Sequence, residues 1–177
     1  RRSSDLEHVI LKGPSGSGKS TLLRTLAGFW PYVKGHISMP APSEMMFIPQ
    51  KPYIPMGTPA EAASYPLETA DKEILSPLLM ECGLSHLMEK PDTEADWSHI
   101  LSLGEQQKLA FVRVFLRKPK WVFLDEATSA MDEETEEKMY RLLTALPGTT
   151  VISIGHRSTL DKWHNRVLRI ENGKLIG

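Results

Sequence analysis

At 177 residues, with 41% hydrophobic and 24% charged side chains, the chain has the composition of one folded domain rather than of a fibrous or disordered polymer. A formal net charge of -1 argues against recognition of nucleic acid through a broad basic field. Cys82 is the only cysteine, which rules out an internal disulfide and fits a reducing compartment; it reads as a small buried apolar residue.

Residues 8–12 form a short β-type run that ends in a glycine-rich turn, and residues 19–27 read as a helix closed by Gly28. Residues 35–39 and 45–48 are expected to be strands, followed by a proline-spaced stretch, residues 49–66, expected to be irregular. Ile74, Leu75, Leu78, Leu79 and Cys82 recur at helical spacing and predict a helix over residues 71–82 that stops at Gly83. Beyond Asp92 regular alternation resumes, with helices over 104–116 and 132–146 and strands over 121–124, 150–154 and 166–170. This order implies an α/β fold with a mainly parallel sheet flanked by helices. Residues 66–118 are expected to form a small helical subdomain on that core.

No window approaches the roughly 20 apolar residues of a membrane-spanning helix, and Arg1-Arg2-Ser3-Ser4 lacks the apolar stretch of a signal peptide. The chain starts without methionine directly ahead of a strand, so it is expected to be a soluble piece of a longer polypeptide, with any membrane domain upstream.

Gly13-Pro14-Ser15-Gly16-Ser17-Gly18-Lys19-Ser20 fits G-x-x-x-x-G-K-[ST] between a strand and a helix, the context that this phosphate-binding motif requires. Its glycines let backbone N–H groups curl around a phosphate, and the helix N-terminus adds partial positive charge. Lys19 is placed to reach β- and γ-phosphate oxygens, and Ser20 offers a hydroxyl to Mg²⁺. A bare glycine-rich turn would not carry the Lys-Ser pair at this spacing. The apolar run Trp121-Val122-Phe123-Leu124 ends in Asp125-Glu126, and ligands of parallel sheets bind at the carboxyl ends of strands. Asp125 is therefore the expected metal ligand and Glu126 the general base for an attacking water. Without the phosphate loop, the same pair could equally be a helix-capping cluster.

Leu101-Ser102-Leu103-Gly104-Glu105-Gln106-Gln107 resembles the L-S-G-G-Q signature of ABC ATPases. It keeps the Ser and the second Gly, while Leu103 and Glu105 depart from the usual Gly and Gln. In isolation the segment would read as an ordinary Ser N-cap. Gln50 in Phe47-Ile48-Pro49-Gln50, Ser129-Ala130-Met131-Asp132, and His156 in Gly155-His156-Arg157 stand in the order of that family's other stations. The resemblance implies ATP and Mg²⁺ as cofactors and residues 13–21, including Thr21, with Ser102, Gly104, Glu105 and Asp132 as nucleotide contacts. It also implies Ser20, Gln50 and Asp125 around the metal, and Glu126, His156, Gln50 and Lys19 in catalysis.

The stretches around residues 47–58 and 96–107 are similar to the branch of peroxisomal long-chain acyl transporters and their bacterial inner-membrane relatives, although Pro59 and Ala60 depart from its usual Leu-Arg. The resemblance implies a transport-coupled ATPase that forms an ATP-sandwiched homodimer and works with a transmembrane domain of the same transporter at the cytoplasmic face of a membrane. Residues 1–12 hold no Phe, Tyr or Trp to stack on adenine, so that contact is expected upstream. The competing readings are a soluble ABC-type ATPase, a small-molecule kinase and a non-hydrolysing regulatory domain. The first would bring long coiled coils or a second such domain, and the second would not carry the signature. The third is disfavoured because Glu126 and His156 are both present.

Overall fold

The computed structural model describes residues 6–32 and 34–177. Arg1 to Asp5, the start of the stretch that lacks an adenine-stacking aromatic, lie outside the described residues.

The chain divides into two compact units. The sheet unit comprises the described residues up to Pro49, then Pro119–Glu126 and Tyr140–Gly177. Its strands are β1 (Val9–Lys12), β2 (Met45–Ile48), β3 (Trp121–Asp125), β4 (Thr150–Ile154), β5 (Arg166–Glu171) and β6 (Lys174–Ile176), in the order β2-β3-β4-β1-β5-β6. The first five pair in parallel, and β6 returns antiparallel to β5 through the Asn172-Gly173 turn. β3 and β4 are almost wholly buried; β3 accordingly reads as a continuous apolar run up to Asp125, while β4 carries Thr150 and Ser153 among its apolar residues. Helix α1 (Lys19–Leu26) sets Leu23 into a core with Leu11, Phe123, Ile154 and Ile170.

The helical unit comprises Gln50–Lys118 and Ala127–Met139. It holds α2 (Pro59–Ser64), α3 (Lys72–Glu81), α4 (Trp97–Ile100), α5 (Leu103–Arg117) and the first half of α6 (Glu133–Thr144), whose remainder belongs to the sheet unit. Helix α5 buries nine residues, six of them apolar, and α2 and α3 pack against it. Cys82 is buried as expected, and burial pushes its thiol up to about 12, beyond any reactive range.

Two expectations about local structure fail. Residues 35–39 form no strand: Gly35 and Pro40 bracket them, no sheet edge pairs with them, and only Met39 packs against the core. Within the stretch expected to be irregular, residues 59–64 form α2. Pro59 occupies its first turn, where a missing N–H costs nothing, and Thr58 with Glu61 closes a capping box in which both reciprocal bonds are made.

Candidate functional site

In the sheet unit, the phosphate loop is shaped by its backbone. Gly13, Gly16 and Gly18 all have positive φ, at 153°, 75° and 94°. A Cβ on Gly13 would stand 2.8 Å from the Ile170 carbonyl oxygen, so this position needs glycine for space as well as for conformation. No side chain caps α1 at Gly18, which leaves the first amide donors of the helix available to an anion. Lys19, only 6% exposed, donates from Nζ to the carbonyls of Gly13 and Pro14, both at 2.8 Å. These two bonds brace the loop across its own mouth. Ser17 Oγ is buried with no hydrogen-bond partner, an unmet polar group inside the same loop.

The carboxyl end of β3 supplies the acidic half. Asp125 accepts a hydrogen bond from Ser20 Oγ at 2.7 Å. Glu126 has φ 51°, rare for a residue with a Cβ, and its N–H donates to the Ile154 carbonyl at 3.0 Å, tying the turn to the end of β4. Its Oε1 lies 3.0 Å from His156 Nε2. A cavity of about 240 Å³ is lined by Ser15, Gly16, Gly18, Lys19, Ser20, Thr21, Glu126 and His156. Residues taken from three separate parts of the sequence therefore meet at one opening.

Among the described residues, no three His, Cys, Asp or Glu side chains cluster as a metal cage. One carboxylate, Asp125, beside one hydroxyl, Ser20, is instead the sparse hard-oxygen set that suits Mg²⁺ when phosphate and water supply its other ligands.

The remaining predicted residues, Gln50, Ser102, Gly104, Glu105 and Asp132, belong to the helical unit. Ser102 is the N-cap of α5 in a second capping box: its N–H and Oγ donate to Glu105 Oε2 at 2.9 and 2.7 Å, and the Glu105 N–H returns to Ser102 Oγ at 3.3 Å. Burial works to raise the Glu105 pKa, but the bonds from Ser102 and the nearby His86 and Lys108 hold it below the usual carboxylate range. His86 Nε2 lies 3.3 Å from Glu105 Oε1. Gly104 has no room for a Cβ, which would meet the Ala130 carbonyl oxygen at 2.8 Å. Asp132 caps α6 by accepting from the Thr135 N–H at 2.7 Å and from its hydroxyl at 3.1 Å, and these bonds lower its pKa. Gln50 Nε2 reaches Ser129 Oγ at 3.4 Å.

Two polar residues of α5 escape the motif reading. Gln107 is wholly buried and hydrogen-bonds to Gln50, Ser129 and Ala130. Arg113 is 6% exposed and donates to the carbonyls of Ala62 (3.1 and 2.6 Å) and Tyr53 (2.8 Å), with Tyr65 beneath its guanidinium. Desolvation lowers its pKa to about 10. The signal was present in the sequence, since both residues interrupt the apolar stripe of a helix that otherwise reads as core.

The sequence profile described as ABC transporter matches residues 4–129, through both the phosphate loop and the signature. The chain belongs to the ABC transporter family. An uncharacterized ABC transporter ATP-binding protein of Haemophilus influenzae is 47% identical over 93% of this chain and 28% of its own length. The lysosomal cobalamin transporter ABCD4 of Mus musculus is 41% identical over 94% of this chain and 30% of its own. The structure of a bacterial Atm1-family ABC exporter with ATP bound superposes with a TM-score of 0.82 at 26% identity, covering 97% of this chain and 33% of that one. This ABC ATP-binding domain therefore spans about a third or less of the relatives it matches, and those relatives include both the D-family and the bacterial members read from residues 47–58 and 96–107. No helix among its described residues is long and apolar enough to cross a membrane.

Proposed function

We propose that this domain binds Mg-ATP, pairs with a second copy of itself around the nucleotide, and hydrolyses it to power a transmembrane domain of the same transporter at the cytoplasmic face of a membrane. The observation that supports the reading best is the convergence of Lys19, Glu126 and His156 on one cavity, with Ser20 hydrogen-bonded to Asp125 beside it.

The β- and γ-phosphates lie in the loop of residues 13–21, receiving its N–H groups and the Lys19 ammonium, which exchanges the Gly13 and Pro14 carbonyls for phosphate oxygens. Ser20 and Asp125, with Gln50, would hold Mg²⁺, which would supply neutralisation of phosphate charge. Glu126 accepts a proton from the attacking water; His156, at 3.0 Å, orients that carboxylate and faces the γ-phosphate. Ser102 and Gly104 of a second copy, at the N-terminus of its α5, close the other side of the nucleotide, with Glu105 alongside and Asp132 at the same interface. Residues 66–118 act as the subdomain that carries the signature. Release of the γ-phosphate removes the group that bridges two protein surfaces, so the pair opens.

The test is phosphate release from Mg-ATP over a range of protein concentrations, for the wild-type chain, Lys19→Ala and Glu126→Gln. Turnover that rises more than linearly with concentration, with loss of at least about a hundredfold in both variants, is expected. Glu126→Gln should still bind ATP and accumulate as an ATP-bound dimer, whereas Lys19→Ala should bind weakly. Undiminished turnover in Glu126→Gln would remove Glu126 from its role.

A further inference from the structure

Gln107 is a polar side chain at 0% exposure in a helix whose neighbouring buried positions are mostly apolar. Its Nε2 donates to the Gln50 carbonyl at 2.8 Å and to Ser129 Oγ at 3.2 Å, and its Oε1 accepts from the Ala130 N–H at 3.0 Å. The orientation of the amide is dictated by its partners, because a carbonyl can only accept and a backbone N–H can only donate. Both Nε2 protons and the oxygen are engaged with three different residues.

Those residues lie on two chain segments that α5 itself does not contain. Gln50 begins the stretch leading to α2, and Ser129 and Ala130 form the turn that runs into the Asp132 cap of α6. The Ala130 N–H is held by Gln107, and its carbonyl lies so near the same α5 that a Cβ on Gly104 would meet it at 2.8 Å. The Gln50 side chain meets the same turn at Ser129. Along α5, Gln107 stands five residues after the Ser102 cap, within one rigid helix.

We infer that Gln107 is a positioning residue that makes the Gln50 stretch, the Ser129 to Asp132 turn and the Ser102 end of α5 move as one body. None of the three can shift by itself without leaving a buried donor or acceptor of this amide unpaired, and that penalty couples them. The inference rests on the proposed function, in which Gln50, Ser102 and Asp132 serve at the nucleotide. It adds the physical link through which a displacement at Gln50 is felt at Ser102 and Asp132. Arg113, two turns further along α5, clamps the same stretch at Tyr53 and Ala62, so the stretch is fastened to the helix at both ends.

Two substitutions separate positioning from packing. Gln107→Glu keeps the shape and the acceptor for Ala130 but cannot donate to Gln50 or Ser129; Gln107→Met removes all three bonds and keeps the volume. Kd for ATP is expected to stay within about twofold in both, because the phosphate loop belongs to the other unit, while kcat falls about tenfold or more, the equivalent of one buried hydrogen bond. Adding Ser129→Ala to Gln107→Met is expected to cost less than Ser129→Ala costs alone, since the Gln107 tie is already cut and the Gln50 contact at 3.4 Å is left. Hydrogen exchange gives a readout independent of activity: amides at residues 50–53 and 129–132 should exchange faster together in both variants, with those at residues 13–21 unchanged. Fully additive Ser129 and Gln107 effects, or faster exchange in one segment alone, would overturn the coupling. If Lys19→Ala leaves turnover intact, the hydrolytic reading fails by itself, and the exchange experiment still decides whether Gln107 couples the segments.

Discussion

The two units place their functional residues by different physical means. In the sheet unit the backbone does it: positive φ at Gly13, Gly16, Gly18 and Glu126, the open first turn of α1, and the parallel register that aligns the ends of β3 and β4. In the helical unit side chains do it: Gln107 and Arg113 reach across to backbone carbonyls, and two capping boxes, Thr58 with Glu61 and Ser102 with Glu105, set where α2 and α5 begin. Backbone geometry of this kind is written in residue types at fixed spacing, so it survives as a motif. Side-chain bridging of the Gln107 and Arg113 kind spans dozens of residues, 57 between Gln107 and Gln50, and leaves no local pattern, whereas the capping boxes are local.

The sharpest way to break this comparison is Arg113→Met. It strands the Ala62 and Tyr53 carbonyls and is expected to cost about 2–4 kcal/mol, read as a fall in the urea midpoint; Arg113→Lys, with a single ammonium, should recover only part. Amides of α2 should lose protection first. A cost below about 0.5 kcal/mol would mean that the stretch is held by its own capping box and not by the α5 side chain.

Next in size is the acid sensitivity of the sheet unit, where two imidazoles add to the side-chain bonds of Lys19, Ser20 and Glu126. His8 Nδ1 accepts the Val151 N–H at 3.2 Å. His164 donates from Nδ1 to the Leu160 carbonyl at 2.8 Å and accepts at Nε2 from Ser153 Oγ at 2.9 Å. Both must be neutral to do this, and burial lowers both pKa values. A lowered folded-state value means that the unfolded chain takes up the protons first. This contribution to stability is thus complete above about pH 6.5 and is lost as pH falls below it, by up to about 1.4 kcal/mol per pH unit for each imidazole. The lowered carboxylates, Glu44 in this unit and Glu61, Asp96, Glu105 and Asp132 in the helical one, act only further down, as pH falls below the ordinary carboxylate values. Unfolding midpoints at pH 7.5 and 5.5 check the prediction, and His164→Gln should flatten the profile. An equally steep profile in that variant would remove His164 as a source.

The smallest effect sharpens the contrast at α5. Glu105→Gln preserves the capping box but removes a negative charge from the helix end proposed to receive a γ-phosphate. ATP-driven association should tighten by about threefold to tenfold, with stability changed by less than about 0.5 kcal/mol. Sedimentation of the Glu126→Gln background with and without Glu105→Gln measures it. Weaker association would show that the carboxylate itself organises the contact.

Much of the fold was legible because apolar periodicity is a local property. The stretches at 121–124 and 150–154 were expected to be strands and are buried parallel ones, and the stops at Gly28 and Gly83 each carry the positive φ expected of a helix end. Where the reading failed, it weighed a residue without its neighbours. Pro59 counted as a breaker until Thr58 and Glu61 made it a first-turn proline, and residues 35–39 had strand-like composition but pair with neither edge strand, β2 or β6.

By itself the sequence determined the phosphate loop, the acidic end of β3, the signature helix and the family, because each depends on residue types whose backbone preferences or charges act within a few positions. Only the tertiary structure decided that Glu126 adopts a left-handed conformation beside His156, and that Gln107 and Arg113 fasten the stretch after Gln50 to α5. The Gln107 and Arg113 bonds arise where burial leaves polar groups no water to turn to, so that each must take whatever partner the fold brings within reach.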